Sequence, residues 1–144
     1  MSAPDVPEQT ALIRHIIPVI AGGFVTLLLT IVTDSSLAAH GVLPSLDRPV
    51  FETGPLLLIA AYRGLFTIVG CHVAARLAPA GNPRIRYALA LGGVLFAMSV
   101  AGASTIWGKV PMWFALSGIA LTIPYAIIGG ATAARAMMTA ERRG

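Results

Sequence analysis

PLLLIAAYRGLFTIVGCHVAARL, Pro55–Leu77, is an apolar run broken by Arg63 about a third of the way in. A run of this length is what a helix needs to cross roughly 30 Å of hydrocarbon at about 1.5 Å per residue. Working outward, three more such runs fill most of the chain: Arg14 to Asp34, Arg86 to Lys109 and Lys109 to Arg135 enclose no charged residue. A cation inside a membrane-crossing run costs roughly 2.5–3.5 kcal/mol on insertion scales, so Arg63 calls for a partner or a purpose.

Composition supports the same class. Hydrophobic residues make up 56% and charged residues 11% of the 144, against about 25% charged in soluble globular domains. A water-exposed surface cannot be built from so few charges. The net charge of +4 and pI near 10 do not predict a nucleic-acid binder, because the basic residues sit at the ends of the apolar runs instead of gathering on one face. The single Cys71 excludes an internal disulfide, a CxxC redox pair and a cysteine-rich metal site. It also excludes the quinone-coupled disulfide carriers, which are small four-helix membrane proteins too.

The expected architecture is all-α, an integral membrane four-helix bundle. Residues 1–10 are predicted to be a short cytoplasmic tail and residues 11–140 a single transmembrane domain, with helices at about 11–40, 55–77, 84–106 and 111–138. Ser36-Leu37-Ala38 loosely fits a signal-peptide cleavage site. The preceding run exceeds an h-region of roughly 7–15 residues, however, and Asp34 stands just before the site, so an uncleaved first helix is expected. Gly41 suits a helix C-terminal cap, with Pro44 blocking continuation. Pro55 suits a first helical turn, and Ala78-Pro79-Ala80-Gly81-Asn82-Pro83 is a cluster of breakers. Pro18 and Pro124 fall inside helices, where they are expected to cause kinks.

Basic residues predict orientation. With the N-terminus inside, Arg14, Arg76, Arg84, Arg86, Arg135, Arg142 and Arg143 are cytoplasmic, and only Arg48 and Lys109 are outside. That asymmetry predicts both termini inside. Trp107 and Trp113 would flank the last outer turn, and Tyr87 would mark the inner end of the third helix, as interfacial anchors do.

Small residues let membrane helices approach closely, and they recur here at helical spacing. The predicted seams are Gly22, Thr26, Thr30, Thr33 on the first helix and Ala60, Gly64, Thr67, Cys71, Ala74 on the second. On the third they are Ala90, Gly93, Ala97, Ala101, Ser104, though its composition allows a second seam. The fourth offers Ala115, Gly118, Thr122, Ala126, Gly129, Ala133, the longest of the set.

The candidate site is an intramembrane ion pair, Asp34 with Arg63. Asp34 follows Thr30 by four residues on the inward face of the first helix, and Arg63 borders the seam of the second. Asp47 and Glu52 are the other acids in reach, and Thr30, Thr33 or the Tyr62 region could assist. The pair reads first as a register-setting salt bridge and second as an anion or proton site beneath an outward-facing cavity. His15 and His72 near the inner helix ends are too few and too poorly spaced for a metal or haem site, so no cofactor is expected. His72, with Arg76 one turn on, is expected to reach the cytoplasmic headgroups. Asp34, Ser35, Ser36 and His40 hold the residue types of a hydrolytic triad, but neighbours on one helix face different ways, and no catalytic set is predicted.

Thr33-Asp34, Leu37, Gly41, Ala61-Tyr62-Arg63, Ala75-Arg76-Leu77-Ala78-Pro79, Pro124 and Gly129-Gly130 together resemble a widespread group of small, uncharacterised four-helix proteins of the bacterial inner membrane. The likeness runs from about Pro18 to Arg135. Members of that group often carry Trp-Tyr-Pro in the last outer turn, where this chain has Trp113-Phe114-Ala115. The resemblance implies a multi-pass protein of the cell inner membrane and implies no activity. The functional expectation is a structural, accessory or interaction protein, with a small transporter or channel subunit using Arg63 as the alternative. Its expected partners are the lipid bilayer and a second copy or another membrane protein.

Overall fold

The computed structural model describes residues 8–43 and 49–142. Predicted features at 1–7, at 44–48 (Pro44, Asp47 and Arg48 among them) and at 143–144 lie outside the described residues. Four helices make up the fold: α1 Glu8–Ala39, α2 Thr53–Arg76, α3 Arg84–Thr105 and α4 Met112–Glu141. Each is long and apolar enough to cross a membrane.

The ends of the helices follow local chemistry. Helix α1 begins at Glu8, three residues before the predicted start at about residue 11, and its membrane-length apolar part begins at Ile13. Its far end closes in a Schellman motif. Gly41, at φ +69°, donates its N–H to the Ala38 carbonyl at 3.0 Å, and Val42 donates to Leu37 at 2.9 Å. Helix α2 starts at Thr53, so Pro55 still lies among the first N–H positions that have no intrahelical acceptor. Pro18 and Pro124 stand inside continuous helices. Each removes one N–H, depriving the carbonyls of Arg14 and Ala120 of their usual donor.

The helices run up, down, up, down. His15 meets Tyr87, Gly22 meets Gly70, and Asp34 meets Arg63, which orders α1 against α3 and α2. Helix α2 packs on all three others, whereas α1 and α4 do not meet among the described residues. This topology brings Arg14, Arg76, Arg84, Arg86 and Arg135 to one end of the bundle, termed here the α2–α3 end. The α1–α2 and α3–α4 connections share the opposite end. There the Val50 N–H donates to the Lys109 carbonyl at 2.7 Å, tying the two connections together.

Close approach is concentrated toward the α2–α3 end. A Cβ on Gly70 would run into Thr26 Oγ1 and stand 2.6 Å from the Gly22 carbonyl oxygen. One on Gly129 would stand 2.5 Å from the Ile68 carbonyl, and one on Gly92 would stand 2.5 Å from Ala126 Cβ. Around these contacts Cys71, Ala74, Ala75, Ala88, Leu91, Ala126 and Ala133 form a buried core. A second core of Val50, Leu56, Ile59, Ala103, Val110 and Ala115 closes the opposite end of α2, α3 and α4.

The predicted seam of α3 is on the wrong face. Ala90, Gly93, Ala97, Ala101 and Ser104 are all exposed, and α3 packs instead through Ala88, Leu91, Gly92 and Ala103. A helix this rich in small residues offers two such faces, and the larger Leu91 selects between them by filling the space beside Gly22. On α4 every member of the predicted seam is buried except Gly118.

Candidate functional site

Asp34 and Arg63 lie on neighbouring helices of opposite direction. Arg63 is ten residues into α2 and Asp34 five residues before the end of α1, so their backbones differ in depth by roughly 7 Å. The side chains close that gap. Every helical Cα–Cβ bond tilts toward its own N-terminus, which sends Arg63 up toward the connections and Asp34 down toward the helix middle. Arg63 Nη2 donates to Asp34 Oδ2 at 2.7 Å.

Tyr62 completes the cluster by donating its hydroxyl to Asp34 Oδ1. One carboxylate thus accepts from two consecutive residues of α2. The Tyr62 ring packs against the Val50–Ala115 core and lies 5.6 Å from the ring of Phe66. Sequence reading named only the region of Tyr62; the signal was its position beside Arg63, since adjacent residues about 100° apart can straddle a single group on a facing helix. Glu52 is exposed and takes no part, and Asp47 lies outside the described residues. Arg63 was expected to point into the bundle. Its side chain is 46% exposed and that of Asp34 is 32% exposed, so the pair sits at the edge of the interior.

Behind the pair is a cavity of about 440 Å³ lined by all four helices. Arg63, Gly64 and Thr67 contribute from α2, Thr26 and Thr30 from α1, Ser99 and Gly102 from α3, and Gly118, Thr122 and Tyr125 from α4. The sequence predicts a cavity at Arg63 only as an outward-facing one; its lining by all four helices was not predicted, because the space exists where the small-residue faces fail to meet. A Cβ at Gly102 or Gly118 would find no atom within 4 Å. The hydroxyl-bearing residues were visible in the seams, but their convergence was not.

Four of the wall hydroxyls bond to their own helices, while Thr26 also reaches the Phe66 carbonyl of α2 and Ser99 pairs with Thr122 across α3 and α4, each at 3.4 Å. Thr26 donates to the Gly22 carbonyl at 3.0 Å, Thr30 to Thr26 at 2.8 Å, Thr67 to Arg63 at 2.9 Å and Thr122 to Gly118 at 2.6 Å. Such bonding to the preceding turn is how a hydroxyl is carried in apolar surroundings.

The histidines go their separate ways. His15 Nδ1 pairs with the Tyr87 hydroxyl at 2.5 Å, with the two rings stacked. His72, which the sequence places near the cytoplasmic headgroups, has its Nδ1 3.1 Å from Thr132 Oγ1 of α4 in an exposed contact. The Thr132 hydroxyl also lies within hydrogen-bond reach of the Gly129 carbonyl, at 2.9 Å. Among the described residues, no three His, Cys, Asp or Glu side chains gather as a metal site would require. Ser36 and His40 bond to backbone carbonyls of α1 itself, those of Val32 and Ser36. The arrangement as a whole can bind, by the Arg63 guanidinium and the cavity behind it. Among the described residues, no hydroxyl or thiol at this site bonds to a histidine or carboxylate except Tyr62, which donates to Asp34. Compared with protein-family models, curated proteins and solved structures, the chain matches none.

Proposed function

We propose that this chain is an integral protein of the bacterial cytoplasmic membrane, with four spans and both termini inside, and that it serves a structural or accessory role without chemistry of its own. The observation that carries the role is the clasp at Asp34. The charged pair within the apolar stretches is committed to joining α1 to α2, and Tyr62 takes up the second carboxylate oxygen. Buried and half-buried ion pairs are well suited to setting register between elements.

The membrane reading is supported by α1, whose Ile13, Ile16, Ile17, Ile20, Phe24, Leu28 and Ile31 are exposed along much of its length. Water would not tolerate so large an apolar surface. The arginines gathered at the α2–α3 end support a cytoplasmic location for that end. The resemblance in sequence supports the bacterial inner membrane. Exposed apolar faces on α1 and α4 leave room for a second copy or another membrane protein.

The test is accessibility in intact cells. In a Cys71→Ala background, Lys109→Cys should react with an impermeant maleimide and Asn82→Cys should react only after lysis. The reverse pattern would invert the orientation, and reaction of both in intact cells would end the four-span reading. A second reading, a small transporter or channel subunit, is favoured by one observation: Arg63 lines the cavity while remaining about half exposed. A flux assay in proteoliposomes decides between the two roles.

A further inference from the structure

The cavity is lined by all four helices but not enclosed by them. Toward the connections it reaches Thr105, Ile106 and Phe114, where α2, α3 and α4 are held together by the core around Leu56, Ile59 and Ala115 and by the Val50–Lys109 backbone bond. Toward the α2–α3 end it is closed by the glycine-mediated contacts, with Thr26 and Tyr125 at its floor. Helix α2 stands between α1 and α4. What remains is the side between α1 and α3. These helices meet where His15 reaches Tyr87 and Gly22 and Gly23 approach Leu91. Farther up, Leu27 and Met98 both line the cavity, yet are 43% and 50% exposed. The mouth is therefore lateral. In a chain that spans a membrane, a lateral mouth faces hydrocarbon, and what enters comes from the bilayer.

The interior has a definite polarity. Arg63 carries five N–H donors, of which one goes to Asp34 among the described residues. Its charge is already balanced by that carboxylate, so a second anion beside Asp34 would be repelled. Thr26, Thr30, Thr67 and Thr122 spend their protons on helix carbonyls, and Ser99 pairs with the Thr122 hydroxyl at 3.4 Å. The unmet demand is for acceptor oxygens without net charge, and the rest of the lining, Leu27, Leu95, Met98 and Leu121, is hydrocarbon. The volume of about 440 Å³ falls in the usual range for small-molecule sites, roughly 300–1,000 Å³.

We propose that this cavity is a lateral binding site for an amphiphile with an uncharged, carbonyl-bearing head, whose oxygens accept from Arg63 and whose hydrocarbon lies along Leu95, Met98 and Leu121. The inference rests on the four-span reading above but not on either role. Two sources share this chemistry, the ester carbonyls of a glycerolipid and the ring carbonyls of a free quinone.

Purified protein in detergent is titrated with four probes, using native mass spectrometry for occupancy and thermal unfolding for the shift in Tm. The probes are dioctanoylglycerol, its dioctyl ether analogue without carbonyls, decyl-benzoquinone and octanoate. Dioctanoylglycerol or the quinone should bind and raise Tm, and whichever does so names the source. The ether should bind about tenfold more weakly or worse, as expected for loss of a hydrogen bond to a charged donor. Arg63→Met should erase the preference for carbonyls while leaving the weak ether binding in place. Gly118→Leu and Gly102→Leu, which project into open space, should not lower the Tm of the unliganded protein and should abolish binding. Equal binding of ester and ether would overturn the proposal, as would tighter binding of octanoate. Absence of binding by every probe would overturn it as well, even if maleimide labelling upholds the four spans; failure of the labelling would instead remove the reading on which it rests.

Discussion

Arg63 reaches Asp34 at 2.7 Å by leaning toward the N-terminus of α2 while Asp34 leans toward the N-terminus of α1. The antiparallel directions of the two helices turn the same stereochemical tilt into convergence. Had the helices been parallel, both side chains would have leaned the same way, and residues at these depths would have missed each other. Helix direction, set by the connection between α1 and α2, is thus part of how the cation inside the apolar run of α2 is satisfied.

Removal of either charge is expected to loosen the junction of α1 with α2. Because both side chains are a third to a half exposed, the cost of Arg63→Ala should be about 1.5–3 kcal/mol, the worth of a hydrogen bond to a charged group, not that of a fully buried pair. Asp34→Asn with Arg63→Gln should be less damaging than the sum of the singles. Unfolding in detergent, read as a double-mutant cycle, checks this; strict additivity would show that the two groups do not interact.

Tyr62→Phe removes one donor to Asp34 and keeps the ring that packs on the Val50–Ala115 core and on Phe66. The expected loss is about 1–3 kcal/mol. It should vanish in an Asp34→Ala background, where the hydroxyl has no acceptor. A loss that persists there would assign Tyr62 to some contact other than the carboxylate.

Gly70 marks the tightest crossing of α1 and α2. Gly70→Ala should lower stability by about 1–3 kcal/mol or more, since an added methyl meets Thr26 and the backbone of Gly22. Adding Thr26→Ala removes the hydroxyl but leaves the Gly22 carbonyl 2.6 Å from the new Cβ. Only part of the loss should therefore return, as thermal unfolding of the double variant would show. Complete recovery would mean that the backbones can separate at little cost.

Helix number, length and most boundaries were legible in the sequence, because long apolar runs and clusters of Gly and Pro have few other readings. The pairing of Asp34 with Arg63 was an expectation from helical phase together with comparable depth, and the two side chains lie 2.7 Å apart. The packing face of α3 did not follow: Ala90, Gly93 and Ala97 make as good a seam on paper as Ala88, Gly92 and Ala103. The choice between them depends on how Leu91 fits against Gly22 and how Gly92 fits against Ala126. The sequence places a cavity at Arg63, but its extent among the four helices was hidden for a related reason. Spacing reports which residues share a face, whereas an empty volume depends on whether two faces converge along their whole length.

Gly118 and Gly129 test that last distinction on a single helix. They belong to one small-residue seam of α4, and nothing in their local sequence separates them. At Gly129 a Cβ would stand 2.5 Å from the Ile68 carbonyl and 2.8 Å from Cys71 Cβ, while at Gly118 it would meet nothing within 4 Å. Both substitutions to alanine gain the same helix propensity, about 0.8–1 kcal/mol relative to glycine. At Gly118 that gain should stand, so Gly118→Ala should unfold at a higher temperature than the parent protein. At Gly129 the gain is opposed by overpacking of α4 on α2, about 1–3 kcal/mol, and Gly129→Ala should unfold lower. Opposite signs in the two melting curves would place closed packing and open cavity on the same face of α4. If both variants are destabilised, α4 lies as close to its neighbours at Gly118 as at Gly129, and the cavity is filled in the native protein.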